Sequence, residues 1–199
     1  MEALNRSLFL LINAGADPAP WSLWLATVLA QWLIYLILPL LAVLWLWGRR
    51  STREAVLLAA LSLLLALGCN LLIFAVSFHP RPFMIPLGHN FLPHKAETSF
   101  PSDHAVVFFS VGLGLVWGQM RRLGAWLVAL GVAVGASRVY LGVHFPFDII
   151  GALLVATASS WAVLALLNTR QLKARLLDGA QGLYRRVFAL PITKGWVQD

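Results

Sequence analysis

The chain has 199 residues, 60% of them hydrophobic and only 12% charged, and carries a formal net charge of +7; its mean hydropathy is +0.79. A soluble domain carries roughly a quarter charged residues, so this composition excludes an ordinary soluble domain and indicates one integral membrane domain. The basic excess falls in short groups beside apolar runs and does not interleave with exposed aromatics, which excludes nucleic acid as a partner and points to topology instead.

Taken in order, Met1 to Ala14 places Arg6 before Leu8-Phe9-Leu10-Leu11-Ile12. The apolar core is too short for a signal peptide. A short interfacial helix is expected, ended by Gly15 and the pair Pro18 and Pro20. Trp21 to Trp47 is uncharged and longer than the roughly 20 residues that cross a bilayer, so it is the first expected span. Gly48 to Glu54 reads as a basic loop carrying Arg49, Arg50 and Arg53, and Ala55 to Phe78 as the second span. Asn70 is the strongly polar residue inside that span, best explained by an interhelical hydrogen bond. The single Cys69 excludes an intramolecular disulfide and receives no role.

His79 to Phe100 is too rich in proline, histidine and charge for hydrocarbon, so it leaves the membrane or folds over it. Pro101 to Met120 is the third span, Arg121-Arg122 a tight basic turn, Leu123 to Gly142 the fourth span, and Pro146 to about Leu167 the fifth. The tail beyond carries Arg170, Lys173, Arg175, Arg185, Arg186 and Lys194 between apolar residues, as an amphipathic surface segment does. The expected fold is an all-α polytopic bundle of about five transmembrane helices, with an interfacial N-terminal helix and a basic C-terminal tail. Residues 1–199 form a single domain with its core at about 20–168. Loop 48–54, turn 121–122 and the 169–199 tail share one face of this alternation. All are basic, which makes that face cytoplasmic.

The opposite, outer face gathers the polar groups. Pro101 suits the first turn of a helix, and the amides of Ser102, Asp103 and His104 would then face an anion at the helix start. Capping by Ser99, Ser102 and Asp103 is the simpler account of the same residues, although it gives no reason for His104. His144 and Asp148 stand four apart around Pro146, so the carboxylate reaches one imidazole nitrogen, leaves the other free, and raises the basicity of the ring. Arg81 and Arg138 are costly near a membrane unless paired, and their guanidinium forks suit phosphate oxygens. A metal centre is rejected, because no His-Glu-x-x-His motif is present and arginines accompany the ligand-type residues. A serine hydrolase lacks its Gly-x-Ser-x-Gly elbow.

At these residues the sequence resembles the type 2 phosphatidic acid phosphatase (PAP2) superfamily, with motifs Lys-x6-Arg-Pro, Pro-Ser-Gly-His and Ser-Arg-x5-His-x3-Asp. Ser137, Arg138, His144 and Asp148 match the third in full. Pro101, Ser102 and His104 match the second, with Asp103 in place of glycine, and Arg81-Pro82 retain part of the first, with Phe74 in place of lysine. Pro-Ser-Asp-His, with Pro80-Arg81-Pro82-Phe83 and Pro93-His94, is similar to the bacterial undecaprenyl-diphosphatase branch associated with bacitracin resistance. The resemblance implies a phosphatase without metal or cofactor, acting on a membrane lipid, a polyprenyl diphosphate, at the outer face of the bacterial cytoplasmic membrane. His144 would be the nucleophile, Asp148 its orienting partner and His104 the general acid. Arg81, Arg138, Ser102 and Asp103 would hold the phosphate, with Lys95, His79 and Glu97 as possible auxiliaries and the first two as stand-ins for the missing lysine. Another lipid phosphate, or non-catalytic lipid binding or transport, is the alternative.

Overall fold

The computed structural model describes residues 1–199, Arg170 by its backbone only. Every regular element among the described residues is helical: α1 (Glu2–Ile12), α2 (Pro20–Thr27), α3 (Ile37–Leu46), α4 (Arg50–Val76), α5 (Asp103–Trp117), α6 (Arg121–Tyr140), α7 (Pro146–Leu166), α8 (Arg170–Val187) and α9 (Ala189–Thr193). The all-α membrane bundle expected from composition is therefore the observed one. Four helical stretches are long and apolar enough to cross a membrane: Pro20–Leu46, α4, α6 and α7.

The third expected span is shorter than its apolar run suggests. α5 has 15 residues, about 22 Å of helix at 1.5 Å per residue, against a hydrocarbon core of about 30 Å. It occupies the centre of the bundle against α4, α6 and α7, so protein rather than lipid surrounds it. Lipid tails are as apolar as leucine and give helices no hydrophobic reason to associate, which leaves close van der Waals packing between small residues. Gly114 on α5 supplies such a contact, because a Cβ there would lie 2.4 Å from the Cα of Ala59 on α4.

Three boundaries differ from the sequence reading. Loop 48–54 is helical from Arg50 onward, so Arg50, Arg53 and Glu54 belong to α4. Arg53 is buried. Its Nε donates to the Trp45 carbonyl at 2.9 Å and its Nη2 to the Gln198 carbonyl at 2.8 Å, and its guanidinium lies 4.8 Å from the Tyr184 ring centroid. Arg121 and Arg122 open α6, and the turn before them is Gly118 to Met120. Pro101 is not a first-turn residue, since α5 begins at Asp103. Composition marks the edge of the hydrocarbon, and helices continue past that edge without any change in their backbone bonding.

The first span is one helix in two segments. Its middle widens to a π turn over Val28–Trp32 and then tightens to a 3-10 turn over Leu33–Leu36, a local distortion often found where a helix serves a site. α1 does more than lie on a surface. Asn5 accepts the Phe147 amide at 3.0 Å, Phe9 packs 5.3 Å from Phe145, and the Asn13 side chain bonds the His89 amide and the His89 and Tyr140 carbonyls. α1 thereby closes the end of the bundle that holds the long loop. At the other end α8 buries Leu177 and Tyr184 and pairs Asp178 with Arg50 and Lys173 with Glu54, so the amphipathic tail is docked on the bundle.

Loop 77–102 is pinned at several points. Ser99 N donates to the His79 carbonyl at 2.7 Å and Phe91 N to the Leu141 carbonyl at 3.0 Å. Gly142, at φ +85°, turns the chain between α6 and His144 so tightly that a Cβ there would meet the His89 carbonyl oxygen at 2.1 Å. Glycine alone takes that φ at no steric cost and leaves room for this approach.

Candidate active site

The site is assembled at one end of the bundle from the loop after α4, the start of α5, the last turn of α6 and the start of α7. Arg81, Arg138, His144 and Asp148 are all at most 3% exposed. Asp148 enters at the first turn of α7, where its Oδ2 accepts the Phe145 amide at 2.8 Å. The same oxygen accepts the Ser99 hydroxyl and stands 3.2 Å from His144 Nδ1. The expected pairing of His144 with Asp148 is present. Asp148 Oδ1 is buried without a partner among the described residues.

His144 Nε2, the nitrogen expected to be free, lies 3.1 Å from Arg81 Nη1. A guanidinium only donates, so Nε2 carries the lone pair and the ring proton sits on Nδ1, donated to Asp148. Arg81 is further held by the carbonyls of Val143 at 3.0 Å, Thr98 at 3.1 Å and Glu97 at 3.2 Å. Burial pulls this guanidinium below its usual range, against the opposing charge of Glu97. The ring of His144 is not made more basic, as Asp148 alone would make it. Burial lowers it to about 3, the Asp148 bond offsets only part of this, and the charges of Arg138 and Arg81 add to the lowering. The imidazole is neutral near pH 7, as a nucleophile requires.

Arg138 comes from the last turn of α6. Its Nη1 donates to the Ala30 carbonyl in the π turn at 3.0 Å, and its Nη2 lies 3.1 Å from His94 Nε2; its Nε has no partner among the described residues. His104, partly buried on the first turn of α5, lies within electrostatic reach of Arg138, His144, His94 and Arg81. Ser102 is buried, with a hydroxyl that has no partner among the described residues. Its amide is not available to an anion, because it donates to the Asp148 carbonyl at 3.3 Å. None of Ser99, Ser102 and Asp103 caps α5 with its side chain. Ser99 instead joins the His144–Asp148 pair, and Asp103 accepts Asn70 Nδ2 at 2.8 Å, the interhelical bond expected of Asn70.

The auxiliaries divide. Glu97 is at the site, 3.5 Å from Arg81 and 3.8 Å from His94. Lys95 points to the exposed surface, and His79 packs edge-on 5.9 Å from Phe145, so neither takes the place of a lysine beside the arginines. Sequence reasoning named His94 only within the resemblance, with no role at the site, and considered Ser99 only as a cap. The available signal was their position in the loop joining Arg81 to His104. Among the described residues no three of His, Cys, Asp and Glu gather to hold a metal ion.

The chain as a whole is similar to known proteins. Over the whole of both chains the sequence is 41% identical to an Escherichia coli K12 protein named "Putative undecaprenyl-diphosphatase YbjG". It is 38% identical to the undecaprenyl-diphosphatase BcrC of Bacillus subtilis over 59% of this chain and 60% of that one. The fold matches the crystal structure of Aquifex aeolicus LpxE with a TM-score of 0.69 and 25% identity, covering 81% of this chain and 95% of that one. The PAP2 superfamily model matches residues 55–172, a stretch that carries Arg81, His104, Arg138, His144 and Asp148 together. The chain belongs to the PAP2 superfamily.

Proposed function

We propose that the protein hydrolyses undecaprenyl diphosphate to undecaprenyl phosphate and inorganic phosphate, recycling the lipid carrier of cell-wall synthesis. The observation that carries this reading is the His144 lone pair, fixed by Asp148 and flanked by two buried arginines. The names of the relatives supply the substrate. Substrate phosphate takes the Nη1 proton of Arg81 as its hydrogen bond and uncovers Nε2 of His144. Nε2 attacks the terminal phosphorus, the bond to the bridging oxygen breaks, and His104, having taken a proton from solvent once phosphate offsets the charge of the arginines, protonates the departing undecaprenyl phosphate. Arg81, Arg138 and the Ser102 hydroxyl stabilise charge on the equatorial oxygens. Asp148 keeps the proton on Nδ1 and supports the cationic ring. Water, deprotonated by His104, then cleaves the phosphohistidine.

The site end faces the exterior of the cytoplasmic membrane and the docked tail faces the cytoplasm, in keeping with the basic residues at 49–50 and 121–122. Residues 1–199 act as a single domain. The same chemistry would serve another lipid phosphate, such as phosphatidylglycerol phosphate, phosphatidate or lipid A. Phosphate release from each of these by the purified protein decides between them. Undecaprenyl diphosphate is expected to turn over fastest, and a preference for a monophosphate ester would replace it. No turnover of any would leave a lipid-binding protein.

A further inference from the structure

Two arginines converge on this site, and each ends on the lone pair of a histidine. Arg81 ends on His144. Arg138 Nη2 lies 3.1 Å from His94 Nε2, and since the arginine is the donor, His94 must carry its proton on Nδ1. That nitrogen lies 3.2 Å from the Lys95 carbonyl, the acceptor this tautomer needs. The ring is therefore neutral, with its lone pair facing inward. It stands 6.4 Å from the ring of His144, centroid to centroid, on a side chain 18% exposed.

Resting on the phosphatase reading above, we infer that His94 is a third cationic phosphate ligand, beside Arg81 and Arg138, that becomes one by gaining a proton when substrate arrives. A phosphate oxygen that takes over Arg138 Nη2 removes the donor from His94 Nε2 and leaves its lone pair facing an anion. A proton from solvent then binds Nε2, the ring becomes cationic, and Nε2–H donates to the phosphate; the proton returns to solvent when product leaves. Nδ1–H keeps its bond to the Lys95 carbonyl throughout.

The charges around the ring favour this switch. Burial and the positive charges of Arg81 and Arg138 hold His94 below its ordinary value, against the Lys95 carbonyl bond and Glu97. His144 and His104 are the other titratable groups facing it. Phosphate neutralises the two arginines, and Glu97, 3.8 Å from Nδ1, remains to support the cation. A neutral ring also spares the protein a third cation beside two buried arginines until an anion is present.

The test is calorimetric titration of the detergent-solubilised protein with inorganic phosphate, in two buffers of different ionisation enthalpy, which counts protons taken up on binding. Phosphate and the other histidines contribute in wild type and variant, and His94→Lys, which carries the charge without titrating near pH 7, separates their response from that of residue 94. Near pH 7 the wild type is expected to take up about one more proton per phosphate than His94→Gln. His94→Gln is expected to bind about tenfold more weakly, as when one charge-assisted hydrogen bond is lost. His94→Lys, a permanent cation, is expected to restore affinity without restoring the extra proton. Equal proton uptake in wild type and His94→Gln would overturn the inference, as would failure of folded His94→Lys to bind better than His94→Gln. Inorganic phosphate is common to every lipid-phosphatase reading. A wrong lipid assignment would appear separately, as no turnover of polyprenyl diphosphate with the proton difference intact.

Discussion

Arg81 Nη1 holds the lone pair of His144 Nε2 at 3.1 Å, so the cation proposed to receive the phosphate also covers the atom proposed to attack it. Three backbone carbonyls fix the rest of the Arg81 fork. Lysine keeps a charge but has no fork to satisfy those carbonyls and a phosphate together. Arg81→Lys is expected to lower kcat/KM on the order of 10²-fold, the loss of one or two charge-assisted bonds. Steady-state kinetics on undecaprenyl diphosphate checks this, and activity within about threefold of wild type would remove Arg81 from the phosphate site.

The proposed mechanism gives His144 and His104 separable jobs. His144→Ala removes the attacking atom, so turnover and the acid-labile, base-stable phosphate on the protein should both vanish in acid-quench experiments with labelled substrate. His104→Ala removes a proton donor, typically worth about 10²–10⁴-fold. A diphosphate expels a phosphate, a far better leaving group than an alkoxide, so this variant should lose less activity on a diphosphate than on a monophosphate ester. Wild-type turnover in both variants would return the site to lipid binding.

Ser99 is a buried donor to Asp148 Oδ2. Ser99→Ala leaves that oxygen with the Phe145 amide and His144 Nδ1, so the imidazole stays oriented but less firmly. A loss of about tenfold in kcat with little change in KM is expected, as for one buried hydrogen bond. An unchanged kcat would show that Asp148 needs no help from the loop.

The lowered pKa of His144 makes stability depend on pH in a definite direction. Between the ordinary value of 6.5 and about 3, the unfolded chain binds a proton that the folded ring excludes, so stability falls as pH falls through that window. One such group contributes a slope of up to about 1.4 kcal/mol per pH unit. His144→Gln should make the decline of apparent Tm below pH 6.5 shallower, with His94, lowered in the same sense, contributing part of what remains. Identical slopes would mean that His144 takes up its proton in the folded protein.

Sidedness is tested with single cysteines in a Cys69→Ser background. Asn90 and Ser51 are both exposed, at opposite ends of the bundle. Asn90→Cys should react with an impermeant thiol reagent applied to intact cells, and Ser51→Cys should react only after lysis. The reverse pattern would place the site in the cytoplasm and end the proposed recycling role.

The spans were legible because uncharged runs of apolar residues have few alternatives to a membrane helix. The position of Asp148 beside His144 was legible for a similar reason, since four residues across a helix start bring two side chains to one place. Helix starts were less legible. At Arg50 and Arg121 the charge marks the end of the lipid and says nothing of the backbone, which continues as helix beyond it. His94 and Ser99 were not assigned to the site because their places depend on contacts far along the chain: Phe91 to Leu141, His79 to Ser99, Asn13 to His89. Nothing in the spacing of residues 77–102 encodes those partners. The π turn at Val28–Trp32 was equally hidden, because hydropathy is blind to a change of a fraction of a residue per turn.

Arg53 at the opposite end of the bundle depends on two acceptors made at very different times. The Trp45 carbonyl, eight residues earlier, exists before the arginine itself. The Gln198 carbonyl lies 145 residues later, which at about 5–20 residues per second is roughly 7–30 seconds of further synthesis. Until that segment is made, the guanidinium has only the first of these two carbonyls. The burial of Arg53 is therefore finished by the far end of the chain, although the arginine itself opens the second span.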